Sequence, residues 1–159
     1  MIRILLVVAL VSCGPGSKGG PAMNNTMTQP DPTPQASDVI STDILAREPV
    51  ANTAQVKHVL IGWNDGGEAR DPRAQKRTKK DAEDLVRKLL EQARAGGDFD
   101  AMMKQYSEDP GSASNGRAYA VSPDAQLVIE FKQLGLRLKM GEVGVVQTEY
   151  GFHVIKRVE

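Results

Sequence analysis

The 159-residue chain has no excess charge of either sign. Its 20 Lys and Arg balance 20 Asp and Glu, so no global field draws it to nucleic acid or to an acidic membrane surface. A nucleic-acid partner is therefore not expected. Cysteine occurs once, which excludes an intramolecular disulfide. That cysteine and two histidines are too few to complete a usual zinc set, so no metal is expected. Nothing resembles a P-loop, a zinc ribbon or a nucleophile elbow, and no cofactor is expected either. Aromatic residues make up 4% of the chain and nine prolines crowd mostly into its first half, so the core has to come from a shorter piece than the full length.

What is present begins with a targeting pattern. Met1-Ile2-Arg3 gives a small positive region and Ile4 to Val11 is an unbroken apolar run. Such a run is far short of the ~20 residues that span a bilayer, but it suffices for the apolar core of a signal peptide. Leu10-Val11-Ser12-Cys13 resembles the bacterial lipobox. Residues 1–12 therefore read as a lipoprotein signal peptide, with Cys13 as the lipidated residue. The simpler alternative is an incidental thiol. More than one acyl chain would anchor stably where one would not. Gly14, in place of Asp, points to the outer membrane, facing the periplasm, under the enteric sorting pattern.

Residues 13–53 read as a disordered tether. Gly14-Pro15-Gly16-Ser17 and Gln29-Pro30-Asp31-Pro32-Thr33-Pro34 hold too little apolar surface to fold. A flexible chain of about 35–40 residues has an r.m.s. reach of roughly 35 Å. The folded domain is expected over 54–159, an α+β arrangement in the order β-α-α-β-α-β-β with a mainly antiparallel sheet. Gln55 to Ile61 is apolar on both faces, as in a covered strand. Thr78 with Asp81 suggests a capping box, and Ala82, Val86, Leu89 and Ala93 repeat at helical spacing before Gly96-Gly97. Asp98 can cap a second helix carrying Phe99, Met102, Met103 and Tyr106. Asp109-Pro110-Gly111 reads as a turn, 112–115 as polar loop, 117–121 as a short strand, and 124–134 as a third helix. Val145 to Thr148 and Phe152 to Val158 read as a closing hairpin.

Both histidines, His58 and His153, lie inside predicted strands with apolar neighbours, which puts them in the core or in a pocket. Each alone is more often a satisfied core residue than a catalytic one. Their surroundings change the balance. Val56-Lys57-His58-Val59-Leu60-Ile61, Asp98-Phe99 with Tyr106-Ser107-Glu108-Asp109, Phe131, Leu138 to Val143, and Thr148 to Ile155 follow one another in the order and spacing of known motifs. Together they resemble the parvulin-type peptidyl-prolyl isomerases. The resemblance implies a four-stranded antiparallel sheet wrapped by helices. It implies a cleft in which His58 and His153 meet, with Asp109 and the Thr148 hydroxyl close by, and an apolar pocket for the proline ring at Leu127 and Phe131. It also implies unfolded or extended proline-containing polypeptides as substrates, with a chaperone-like binding module as the alternative. A monomer is expected.

The stretch Asn115-Gly116-Arg117-Ala118-Tyr119 departs from the family's G-G-D-L-G. Ala118 stands where a leucine usually walls the pocket, which leaves the pocket wider or partly filled by Tyr119. Arg70, Arg73, Lys76, Arg77, Lys79 and Lys80 crowd the first loop and the following helix start. In some relatives such cations select phosphorylated substrates, but a solvated basic loop is the commoner outcome.

Overall fold

The structure is a computed structural model, and it describes residues 37–65 and 71–159. The signal-peptide, Cys13 and Gly14 expectations and most of the tether lie outside the described residues, as does Arg70.

Four strands form one antiparallel sheet: β1 (Ala54–Ile61), β2 (Tyr119–Val121), β3 (Val143–Thr148) and β4 (Gly151–Arg157), in the spatial order β2-β1-β4-β3. β1 and β4 lie in the centre and pair over their full lengths, Val56 opposite Arg157 through Ile61 opposite Phe152. Side chains alternate along a strand, so this register decides which residues share a face. Val59, Ile61, Val145, Phe152 and Val154 point to one side. There they pack against α2 (Lys79–Arg94) and α3 (Phe99–Tyr106) through Val86, Leu89, Phe99 and Met103. Val56, Val146 and Ile155 point to the other side, against Phe131, Leu134 and Leu136 of α5 (Ile129–Arg137). Two cores therefore flank one sheet.

The helix signals act as their chemistry predicts. Thr78 Oγ1 accepts the Asp81 N–H at 3.2 Å while Asp81 Oδ2 accepts the Thr78 N–H at 3.1 Å, a reciprocal capping box. Asp98 accepts the N–H groups of Asp100 and Ala101, each at 3.0 Å, at the start of α3. The β3–β4 hairpin turns tightly at Gly151, where φ is +139° and a Cβ would stand 2.5 Å from the Ile61 carbonyl oxygen. Only glycine fits that approach.

Three expectations are corrected. The packed unit reaches back to residue 37 at least, ahead of the expected Ala54. Val39 and Ile44 are buried, a single-turn helix α1 (Thr42–Leu45) forms, and the Ser41 N–H donates to the Val145 carbonyl while the Val145 N–H donates to Ser41 Oγ, both at 2.9 Å. This segment satisfies polar groups on edge strand β3 that would otherwise face solvent. Residues 110–115, read as turn and loop, form a short helix α4 (Pro110–Asn115), because Asp109 caps it and proline suits a first helical turn. The third helix begins at Ile129 instead of 124. The Leu127 N–H is taken by the Ala125 carbonyl at 2.8 Å and Val128 is extended, so the i→i−4 ladder starts later.

Candidate functional site

Position 60 pairs with 153 and 58 with 155, so His58 and His153 lie on the same face of neighbouring central strands. Their rings meet: Nδ1 lies 3.1 Å from Nδ1, with centroids 5.2 Å apart and planes 22° from parallel. Both are buried, at 4% and 6% exposure. Thr148, next to the hairpin turn, places Oγ1 2.9 Å from His153 Nε2 and accepts the Tyr150 N–H at 3.1 Å.

Asp109 is brought in by a segment that runs beside the end of β1. The Glu108 N–H donates to the Leu60 carbonyl at 2.9 Å and the Leu60 N–H to Ser107 Oγ at 3.2 Å. Glu108 anchors this segment: its carboxylate accepts the Gly62 N–H at 2.6 Å and pairs with Arg77 at 2.7 Å. One residue on, Asp109 Oδ2 stands 3.3 Å from His58 Nε2 and also accepts from the Ser112 N–H, the Ser112 hydroxyl and the Tyr119 hydroxyl. The four residues His58, Asp109, Thr148 and His153 thus form one continuous polar chain.

Phe131 closes the site from α5. It is 3% exposed and stands edge-on to both imidazoles, with centroids 5.1 Å from His58 and 5.4 Å from His153. Leu127 is half-buried beside the same cluster, with Val128 and Tyr119. Ala118 is half-buried just before β2. Tyr119 and Ser112 are participants that the sequence signals poorly: by pattern the first is a space-filler and the second a loop residue.

The electrostatics follow from this packing. The hydrogen bond from His58 holds the Asp109 carboxyl well below the usual carboxylate range; burial opposes the shift and the Ser112 and Tyr119 bonds add to it. Burial, reinforced by repulsion from His58 and opposed by Asp109, pushes the His153 imidazole down to about 3. Burial and then Asp109 raise the Tyr119 phenol. With Asp109 ionised, His58 Nε2–H donates to it, and the Nδ1–Nδ1 and Oγ1–Nε2 contacts continue the chain through His153 to Thr148.

The basic loop proves to be partly structural. Arg73 binds Asp71 and the Gln105 and Ser107 carbonyls, and Arg77 binds Glu108 and the Gly62 carbonyl. These two cations brace the segment that carries Asp109.

A family model described as a PPIC-type PPIase domain matches residues 42–159. The chain belongs to this parvulin-type peptidyl-prolyl isomerase family. The match takes in α1, in keeping with the earlier start of the packed unit. The foldase protein PrsA of Geobacillus kaustophilus is 47% identical over 62 residues, 38% of this chain and 22% of that protein. The chaperone SurA of Pseudomonas fluorescens is 34% identical over 109 residues, 67% of this chain and 23% of that protein. The chain thus spans less than a quarter of the length of either. Among solved structures, the peptidyl-prolyl isomerase Ess1 of Candida albicans superposes with a TM-score of 0.59 at 23% identity, covering 68% of this chain and 63% of that one. That likeness concerns the fold, an α+β domain around a four-stranded antiparallel sheet.

Proposed function

We propose that the chain is a peptidyl-prolyl cis-trans isomerase that accelerates X–Pro rotation in unfolded or extended polypeptides. The observation that carries the reading is the 3.1 Å contact between the two imidazoles on one sheet face, under the edge-on ring of Phe131. Amide rotation faces a barrier of ~18–20 kcal/mol from C–N double-bond character, and uncatalysed X–Pro exchange takes tens to hundreds of seconds. No bond need break. The site has only to bind the twisted amide better than either planar form. Phe131 and Leu127 hold the pyrrolidine, the dry surroundings disfavour the more polar planar carbonyl, and His58, His153, Asp109 and Thr148 orient the site and set its charge. Asp109 and the histidines act through electrostatics and orientation, with no covalent intermediate.

The proposal extends to the setting. The apolar run before Cys13 and the foldase and chaperone relatives support a protein of the bacterial cell envelope. It would be lipid-anchored through Cys13, facing the periplasm from the outer membrane as a monomer. The small Ala118 at the pocket wall favours the alternative of a chaperone-like binding module.

A protease-coupled assay on Xaa-Pro tetrapeptides decides between them. Turnover that His58→Ala abolishes supports the isomerase. Suppression of client aggregation without turnover would select the binding module.

A further inference from the structure

Asp109 gathers its partners on one oxygen. Oδ2 accepts the Ser112 N–H at 2.8 Å, the Ser112 hydroxyl at 2.7 Å and the Tyr119 hydroxyl at 2.8 Å, and faces His58 Nε2 at 3.3 Å. The two Ser112 bonds come with the cap of α4. The Tyr119 bond has a different origin, since Tyr119 is the first residue of β2, beyond α4 and a turn.

Gly111 admits it. A Cβ at position 111 would stand 2.6 Å from the Tyr119 hydroxyl oxygen and 3.3 Å from Asp109 Oδ2. The glycine is not there for its backbone, because among the described residues the positive-φ glycines are 96, 116, 141 and 151. In the first turn of α4 it sacrifices helix stability relative to alanine. What it contributes is room for the phenol. The ring attached to that phenol also faces the site: it is edge-on to His58, with centroids 5.1 Å apart and planes at 81°, and lies 6.3 Å from Phe131.

We propose that Tyr119 is a positioning residue of the isomerase. Its hydroxyl pins the Asp109 carboxylate to His58 through the gap left by Gly111, and its ring walls the proline pocket beside Phe131. The proposal rests on the isomerase reading and deepens it.

The test is a double-mutant cycle on the full chain, with kcat and KM on Xaa-Pro tetrapeptides and the imidazole 15N shifts of His58. Tyr119→Phe removes the donor and keeps the ring. It should lower kcat about tenfold, the worth of one charge-assisted hydrogen bond, with KM within about twofold. Gly111→Ala, which favours the helix, should evict the hydroxyl and reproduce that loss. The double variant should lose no more than either single one, as expected of two changes acting through one contact. Tyr119→Leu should raise KM as well. Both single variants should move the His58 Nε2 resonance. Additive losses, or a Tyr119→Phe enzyme within twofold of the parent, would overturn the proposal. Absence of turnover in the parent defeats the isomerase reading instead. The His58 resonances still decide the positioning role in that case, and unchanged shifts would refute it.

Discussion

Ile44 should be among the costliest single positions in the molecule, although it lies in a stretch whose composition reads as linker. Its side chain is 1% exposed, and its Cδ1 sits over the bare Cα of Gly144, where a Cβ would meet Ile44 at 3.1 Å, Leu134 at 3.2 Å and Leu138 at 3.3 Å. Ile44→Ala removes three carbon atoms, about 2.4 kcal/mol of transfer free energy at about 0.8 per methylene. The unfilled hole adds to this, giving a total of about 3–4 kcal/mol, inside the range for buried aliphatic truncations. Such a loss lowers Tm by about 12–15 °C in a unit of this size. Urea unfolding of the full chain measures it, with Val50→Ala as the control, since Val50 is 48% exposed and its truncation should stay within about 0.5 kcal/mol. An Ile44→Ala loss below about 1 kcal/mol would show that residues 37–53 merely rest on the domain. The sequence-derived boundary at Ala54 would then be right after all.

Two further outcomes follow from buried charge. His153 is pushed down to about 3 by burial, so the unfolded chain binds a proton there that the folded one refuses. Stability is therefore fully present above pH ~6.5 and falls as the pH drops toward the folded value, by about 2.5 kcal/mol between pH 7 and 4.5. Urea midpoints across that interval read the slope, which His153→Asn should flatten; equal midpoints at both pH values would refute a buried neutral imidazole. Glu108 has a side chain 3% exposed, paired with Arg77 at 2.7 Å and with the Gly62 N–H. Glu108→Ala strands both partners and should cost about 3–5 kcal/mol, and a chemical denaturation curve shifted by less than 1 kcal/mol would mean that Arg77 simply turns to water.

The parts of this molecule that were legible in the sequence are those whose signals are local. The Thr78–Asp81 box and the Val86, Leu89 and Ala93 spacing define α2 without knowledge of any partner. The Gly151 turn sets the hairpin, and with it the residues beside His153. The meeting of His58 with His153 was legible only through the family resemblance, since the β1–β4 register that aligns them joins residues 95 apart. The start of the packed unit was hidden for a similar reason. Val39, Ile40 and Ile44 are sparse among polar neighbours; the first two join the core under α2, and the burial of Ile44 depends on Leu134 and Gly144, ninety and a hundred positions away. The six-residue α4 is too short for a 3.6-residue period to show. The role of Tyr119 was illegible because it depends on a glycine whose value is the space it leaves.

The order Thr148–His153–His58–Asp109 looks at first like a relay for nucleophilic attack, a hydroxyl backed by an imidazole and then a carboxylate. The details argue otherwise. Thr148 is 7% exposed and already accepts the Tyr150 N–H, so its oxygen faces the protein. Burial keeps His153 from protonating until about pH 3, which makes it a poor base for a hydroxyl at neutral pH. Among the described residues there is no cysteine, and the Ser107 and Ser112 hydroxyls are committed to the Leu60 N–H and to Asp109. A chain with so poor a base beside its hydroxyl still does something useful for an amide that only has to rotate. It fixes two rings against a hydrophobic wall and holds one carboxylate charged beneath them, so that the field in the cleft is already in place when the substrate twists and nothing has to reorganise.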